Sequence, residues 1–121
     1  RLLTGMEDGE FFGGGLDVQR LAEWVKGRLE ERLDTPQLAA RLHMSESSLR
    51  RFLKRETGQT PMQFVSRLRL DRARALLGTS GASLTDIARR CGFSSSSHFS
   101  SAFGEAFGLA PREYCRRLGG G

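Results

Sequence analysis

Arg50, Arg51, Lys54 and Arg55 alternate with the apolar Leu49, Phe52 and Leu53. At helical spacing that pattern anchors one side in a core and turns cations outward. A helix inserted into the groove of a polyanionic duplex needs this arrangement. Arg can contact guanine O6 and N7 bidentately, worth ~1–3 kcal/mol of discrimination. Ser47, Arg50 and Arg51 are therefore candidates for reading base edges and Lys54 for a phosphate contact, with Ser45 and Ser48 beside them. A second hydroxyl-rich segment holds Ser95, Ser96, Ser97, Ser100 and Ser101. The run 94–97 with His98 suggests a nucleophile, but no buried Asp or oxyanion-type turn accompanies it, and the chain does not read as an enzyme. His43 and His98 lack partners at metal-ligand spacing. Cys91 and Cys115 have neither C-x-x-C spacing nor the number for a disulfide framework. No metal and no cofactor are expected, and a reduced, cytoplasmic setting fits best.

The elements that position these residues are helices. At 121 residues the chain makes one domain or two very small ones. No apolar run is long enough to span a bilayer, and no leader resembles a signal peptide. The net charge is +5, but residues 1–34 carry 5 basic and 8 acidic groups while residues 35–121 carry 14 and 6. The positive field, the part that suits a polyanion, belongs to the later segment. Glycines cluster at both ends, so 1–16 and 119–121 read as flexible tails. An Arg at position 1 suggests excision from a longer chain.

Between the tails the apolar period is helical almost throughout, giving an all-α fold. Val18, Leu21, Ala22, Val25, Leu29 and Leu33 form a first stripe, with Asp17 as N-cap. Thr35 and Pro36 open a short helix, Ser45 caps another that runs to Gly58, and Thr60, Pro61, Met62 and Gln63 form a capping box before a longer helix to Leu77. The pattern then restarts. Ser83 to Asp86 resembles a capping box, the serine run starts a helix bearing Phe99, Phe103 and Phe107, and Pro111 leads into a last helix with Tyr114 and Leu118.

Set beside each other, 38–68 and 87–118 align with one inserted residue. Leu38-Ala39 matches Ile87-Ala88, Leu42 matches Cys91, Met44 matches Phe93, Leu49 matches Phe99, Leu53 matches Phe103, Gly58 matches Gly108 and Pro61 matches Pro111. Each unit is a short helix, a turn and a second helix, the sequence form of a helix-turn-helix. In that motif the second helix enters the major groove. Its turn needs a left-handed residue; Gly92 adopts that freely, and His43 is of a type that tolerates it. The joining helix, 60–77, spans ~27 Å, against ~34 Å between successive major-groove turns. One chain can thus read a bipartite, non-palindromic site. Its Arg67, Arg69, Arg72 and Arg74 either touch phosphates or pair with acids such as Asp71 and Asp86, with pairing favoured.

These residues resemble the C-terminal DNA-binding domain of AraC/XylS-type bacterial transcription regulators over roughly 17–118. The resemblance rests on LAARLHMSESSLRRFLKRETGQTPMQFVSRLRLDRARALL and SLTDIARRCGFSSSSHFSSAFGEAFGLAPREY. The second stretch lies where that family has I-A-x-x-x-G-F, S-x-F and G-x-x-P-x-x-Y. The resemblance implies seven helices in two homeodomain-like helix-turn-helix subdomains, 17–59 and 79–118, bridged by a linker helix, 60–78. It also implies binding to double-stranded promoter DNA and contact with RNA polymerase. The fragment itself shows no heptad stripe, so it reads as monomeric, with any dimerisation lying in a preceding domain.

The second unit departs from the family pattern. Where members carry Arg and Lys, this chain reads Ser100-Ser101-Ala102-Phe103-Gly104, and helix 94–107 holds no cation. Hydroxyls can contact base edges and phosphates but release no counterions. The first unit, through helix 45–58, is therefore expected to dominate affinity and readout. A helical protein-interaction module is the alternative, and an RNA binder a third reading. The basic recognition helix favours DNA, because a partner surface would display aromatics and the A-form major groove excludes a helix.

Overall fold

The computed structural model describes residues 14–79 and 81–119. Among them are seven α-helices and no strand: α1 (Gly14–Lys26), α2 (Thr35–Arg41), α3 (Glu46–Thr57), α4 (Pro61–Thr79), α5 (Leu84–Arg90), α6 (Ser96–Phe107) and α7 (Pro111–Gly119). None is long and apolar enough to cross a membrane. Of the expected tails, residues 1–13, 120 and 121 lie outside the described residues, whereas 14–16 and 119 are helical.

The described chain forms two packing units. The first comprises the residues up to Arg28 with Leu33–Ser66, and the second Leu29–Arg32 with the residues from Arg67 onward. The boundary between these packing units falls inside α4, between Ser66 and Arg67. The reason is burial: the first half of α4 inserts Phe64 and Val65 into apolar surroundings, and the second half inserts Leu70, Ala73 and Leu77. Within the first unit α3 packs against both α1 and α2; within the second α6 packs against α5 and α7.

Two expectations for α1 change. The helix starts at Gly14, so Asp17 is not its N-cap but sits in its first turn. Gly27 follows the last helical residue and the chain turns there, Gly27 N–H donating to Glu23 O at 3.3 Å and Arg28 N–H to Val25 O at 2.8 Å. Leu29 and Leu33 are buried but lie beyond the helix, and Leu29 belongs to the second unit.

The helix starts follow their capping residues. The second helix opens at Thr35 as expected, and Asp34, which the sequence reading did not name, caps it by accepting from Gln37 N–H at 3.0 Å, while Gln37 Oε1 accepts from Asp34 N–H at 2.9 Å. Thr60 and Gln63 make the same reciprocal pair at α4, at 3.1 and 2.9 Å. Ser45, Ser83 and Ser95 each accept from the N–H three residues on, all at 3.1 Å. Each such cap contributes about 1 kcal/mol.

In the second unit Arg69 reaches away from solvent to the connector between α1 and α2. It donates from Nε to Leu29 O at 3.2 Å and from Nη2 to Glu31 O at 2.9 Å, and burial pushes its pKa down. Gly92 lies directly against this clamp: a Cβ there would stand 2.0 Å from Leu29 O and 2.7 Å from Arg69 Nε, at a φ of 87°. Gly108 also has positive φ, 83°, but open space around it. Gly108→Ala should therefore cost only the left-handed backbone strain, about 1–2 kcal/mol, whereas Gly92→Ala adds a backbone collision and should lower the thermal midpoint much further in paired melts.

Asp17 is 4% exposed, and its Oδ2 is buried without a partner among the described residues. Burial raises its pKa above 3.8, partly offset by the Arg20 charge. A carboxyl with a raised folded pKa destabilises the fold once ionised, and protonation removes that cost as pH falls. Asp17→Asn should thus raise the melting temperature at pH 7, with the two proteins converging as pH approaches 3.8.

Candidate nucleic-acid interface

Both helix-turn-helix motifs are built on the same hydrogen bonds. Met44 N–H donates to Ala39 O at 2.9 Å, and Phe93 N–H to Ala88 O at 2.9 Å. The turn residue before each is left-handed, His43 at φ 58° and Gly92 at φ 87°. The second helix of each motif starts at a serine cap and ends at a left-handed glycine, Gly58 at 77° and Gly108 at 83°, whose N–H returns to Lys54 O at 3.0 Å and Gly104 O at 2.9 Å. The inserted residue is Ser94, which lengthens the second turn.

On α3 the buried positions are Leu49, Phe52 and Leu53. At about 100° per residue, Ser47, Arg50, Arg51 and Lys54 form a stripe on the opposite side. All four are exposed, and Ser48 is half-buried at the stripe's edge. Arg50 Nη2 lies 3.4 Å from Glu46 Oε1, Arg51 Nη2 donates to Ser48 Oγ at 3.3 Å, and Lys54 Nζ donates to Gly58 O at 3.4 Å. Exposed pairs of this kind are worth about 0.3–0.5 kcal/mol, small beside a bidentate base contact. Arg55 stands off the stripe, 3.2 Å from Glu56 and with its guanidinium 5.7 Å from the Phe52 ring centroid. Arg50, Arg51, Lys54 and Arg55 line an open groove of about 560 Å³ with Gln59 and Thr60. Gln59 was not singled out from sequence, and Thr60 was read there only as a helix cap; their position just past the helix-ending Gly58 is the one signal that pointed to a place in this groove.

On α6 the buried positions are Phe99 and Phe103. The stripe equivalent to that of α3 is Ser97, Ser100, Ser101 and Gly104. Ser96, Ser97 and Ser101 are exposed and Ser100 is half-buried. Ser45 and Ser95, both sequence candidates, are placed as caps, with a lone pair of each hydroxyl committed to the helix N-terminus. His98 is exposed at the rim, its ring edge-on to Phe93 at 5.5 Å and Nδ1 3.5 Å from Ser94 Oγ. The unit is held by a chain of rings, Phe93 to Phe99 at 5.2 Å, Phe99 to Phe103 at 5.7 Å, and Phe103 to Phe107 and Tyr114 at 4.7 and 5.6 Å. Arg67 and Arg74 of α4 cover Phe107 at 5.0 and 4.5 Å from its centroid and share Asp71, at 3.2 and 3.6 Å. Pairing thus accounts for two of the linker arginines, and the clamp on Leu29 and Glu31 for Arg69.

No group of three or more His, Cys, Asp or Glu able to hold a metal occurs among the described residues. Cys91 is fully buried, and burial pushes its thiol pKa up to about 11, keeping it protonated; Cys115 is exposed.

Two helix-turn-helix motifs, each presenting the outer face of its second helix, define the class of the protein. A helix-turn-helix domain family matches residues 38–117. The chain is 43% identical over 93 residues to the HTH-type transcriptional activator RhaS of Escherichia coli O139:H28, covering 77% of this chain and 34% of that protein. It spans about a third of the length of the curated relatives it matches. A transcriptional regulator from Chromobacterium violaceum, described as AraC-type DNA-binding domain-containing, superposes at a TM-score of 0.81 with 33% identity, covering 88% of this chain and 95% of that one. The DNA-binding domain of AdpA, solved in complex with a target DNA, superposes at 0.76 with 32% identity, covering 84% and 91%. The chain belongs to the AraC/XylS-type helix-turn-helix DNA-binding domains.

The buried, protonated Cys91 should resist alkylation at neutral pH while exposed Cys115 reacts, one modified cysteine per folded chain by mass spectrometry; equal labelling of both would contradict the packing described.

Proposed function

We propose that this chain binds double-stranded DNA sequence-specifically in transcription regulation, with α3 and α6 as major-groove recognition helices and α3 dominant. The observation that carries the reading is the stripe Ser47, Arg50, Arg51 and Lys54, exposed on the side of α3 opposite its core residues. The named relatives support it: RhaS is a transcriptional activator, and the AdpA domain was solved on a target DNA. On this reading Arg50 and Arg51 contact base edges with Ser47, Lys54 contacts phosphate, and Ser48 orients Arg51. In the second unit Ser96, Ser97, Ser100 and Ser101 make weaker, shape-dependent contacts. The caps Ser45 and Ser95 serve chiefly by fixing where the two helices begin and offer at most their remaining lone pairs and hydroxyl protons. The site is bipartite, one block per unit, and activation would proceed by contact with RNA polymerase. Any dimerisation belongs to a domain other than this one, and the setting is cytoplasmic.

Selection of the chain against a random duplex pool at two salt concentrations tests this directly. Two short enriched blocks about one helical turn apart are expected, the stronger belonging to the first unit. No enrichment at either salt would favour a protein-interaction module instead. On the selected duplex, Arg50→Ala or Arg51→Ala should weaken binding by ~1–3 kcal/mol and relax one position of the stronger block. Alanine at Ser97 or Ser101 should cost less, and the opposite ranking would overturn the dominance of α3.

A further inference from the structure

The second unit of a bipartite reader needs phosphate contacts to hold its helix in the groove, yet α6 carries no cation and one anion, Glu105. Elsewhere in that unit Arg67 and Arg74 share Asp71, Arg89 and Arg90 share Asp86 at 2.6 and 3.0 Å in exposed pairs, and Arg69 donates to Leu29 and Glu31. Arg32 and Arg72 are exposed and form no ion pair with a described residue, but each stands singly. Helix α7 gathers three such cations. Its Arg112, Arg116 and Arg117 are exposed, and none forms an ion pair with a described residue. Glu113 on the same helix leaves α7 with an excess of two positive charges, three arginines less one glutamate.

The position of α7 suits a phosphate contact. It follows α6 after a three-residue connector turned by the left-handed Gly108, is fastened to α6 by the Tyr114 ring against Phe103, and starts at the buried Pro111. In homeodomain-like motifs the C-terminal end of the recognition helix lies beside the DNA backbone. The repeat sharpens the contrast. The residues of α4 equivalent to Arg112, Arg116 and Arg117 are Met62, Ser66 and Arg67, so two of the three positions are cationic only in the second repeat, whereas the recognition helix of the first unit holds Arg50, Arg51, Lys54 and Arg55. The first recognition helix has an excess of two positive charges, four cations less Glu46 and Glu56, whereas in the second unit an excess of two falls on the helix that follows the recognition helix.

We propose that the second unit draws its DNA phosphate contacts from α7, through Arg112, Arg116 and Arg117, leaving α6 to probe the groove with hydroxyls alone. This rests on the DNA-binding reading above. It assigns the second unit an electrostatic role that is blind to sequence, since phosphate contacts position a protein and base contacts specify.

The test compares the unmodified chain, the R112Q/R116Q/R117Q triple variant and the R112K/R116K/R117K triple variant on the selected duplex across a salt series. Loss of three phosphate contacts should make the slope of log K against log salt shallower by about 2.7 for the glutamine variant, with at least tenfold weaker binding at low salt. The lysine variant should keep the slope, and the enriched blocks should be the same for all three proteins. A glutamine variant that binds with the original slope, while the unmodified chain binds its duplex normally, overturns the proposal and leaves the DNA-binding reading intact. A glutamine variant whose selected sequence changes overturns it too, because base contact would then be involved. An unmodified chain that enriches no duplex overturns both. All three side chains are exposed, so equal thermal midpoints are expected, and the lysine variant controls for any loss of fold.

Discussion

The angle between the two helices of each motif depends on a single residue with positive φ, His43 in one unit and Gly92 in the other. With that residue left-handed, the next N–H turns back to the carbonyl five residues upstream, and the chain leaves one helix in the direction that lets the next bury its apolar stripe. The orientation of α3 on α2, and of α6 on α5, follows from this turn. So does the choice of which side chains face outward. A non-glycine residue there costs about 1–2 kcal/mol of local strain, which the packing of Leu38, Ala39, Leu49, Phe52 and Leu53 around His43's turn outweighs. At Gly92 the requirement is stricter, because the carbonyl of Leu29 occupies the space a side chain would need.

From that shared frame the two units have diverged in what they show to solvent. The first places cations on its recognition helix and steadies them with weak local contacts to Glu46, Ser48 and Gly58. Such contacts are too feeble to compete with a nucleic acid, so they hold the side chains near the groove without withholding them. The second builds a more aromatic core, in which Phe93 tilts against Phe99, the rings from Phe99 to Tyr114 pack edge to face, and arginines of α4 lie over Phe107. Arg67, Arg74, Arg89 and Arg90 serve packing and neutralise carboxylates, and its recognition helix displays serines. A duplicated scaffold thereby carries two different surfaces, since the buried stripe and the turn constrain only the inward half of each helix.

Much of the architecture was legible because it follows from local rules. Ser45, Thr60 and Ser83 announce helix starts, Gly58 and Gly108 helix ends, and the matched landmarks of the two repeats announce a duplicated motif. The stripe on α3 was legible too, as its four exposed residues fall at i, i+3, i+4 and i+7. Less legible were features whose signal is shared with a competing pattern. Leu29 and Leu33 continue the apolar period of α1 although Gly27 ends that helix, and Asp17 looks like a cap because the glycines before it look like a tail. Asp34 was overlooked beside the more conspicuous Thr35-Pro36.

By itself the sequence determined the helices, their caps, the two-fold repeat and the face on which the candidate base-reading residues stand, because each depends on neighbours within about four residues along the chain. Only the tertiary structure decided where the packing units divide and which arginines are free. Arg69 shows why: nothing in its neighbourhood along α4 distinguishes it from Arg67 or Arg72, yet it spans 38 and 40 residues of sequence to bond Glu31 and Leu29. Contacts between distant segments form only when the core closes, and the competition among many like charges for a few carboxylates and carbonyls is settled by geometry that no local pattern encodes.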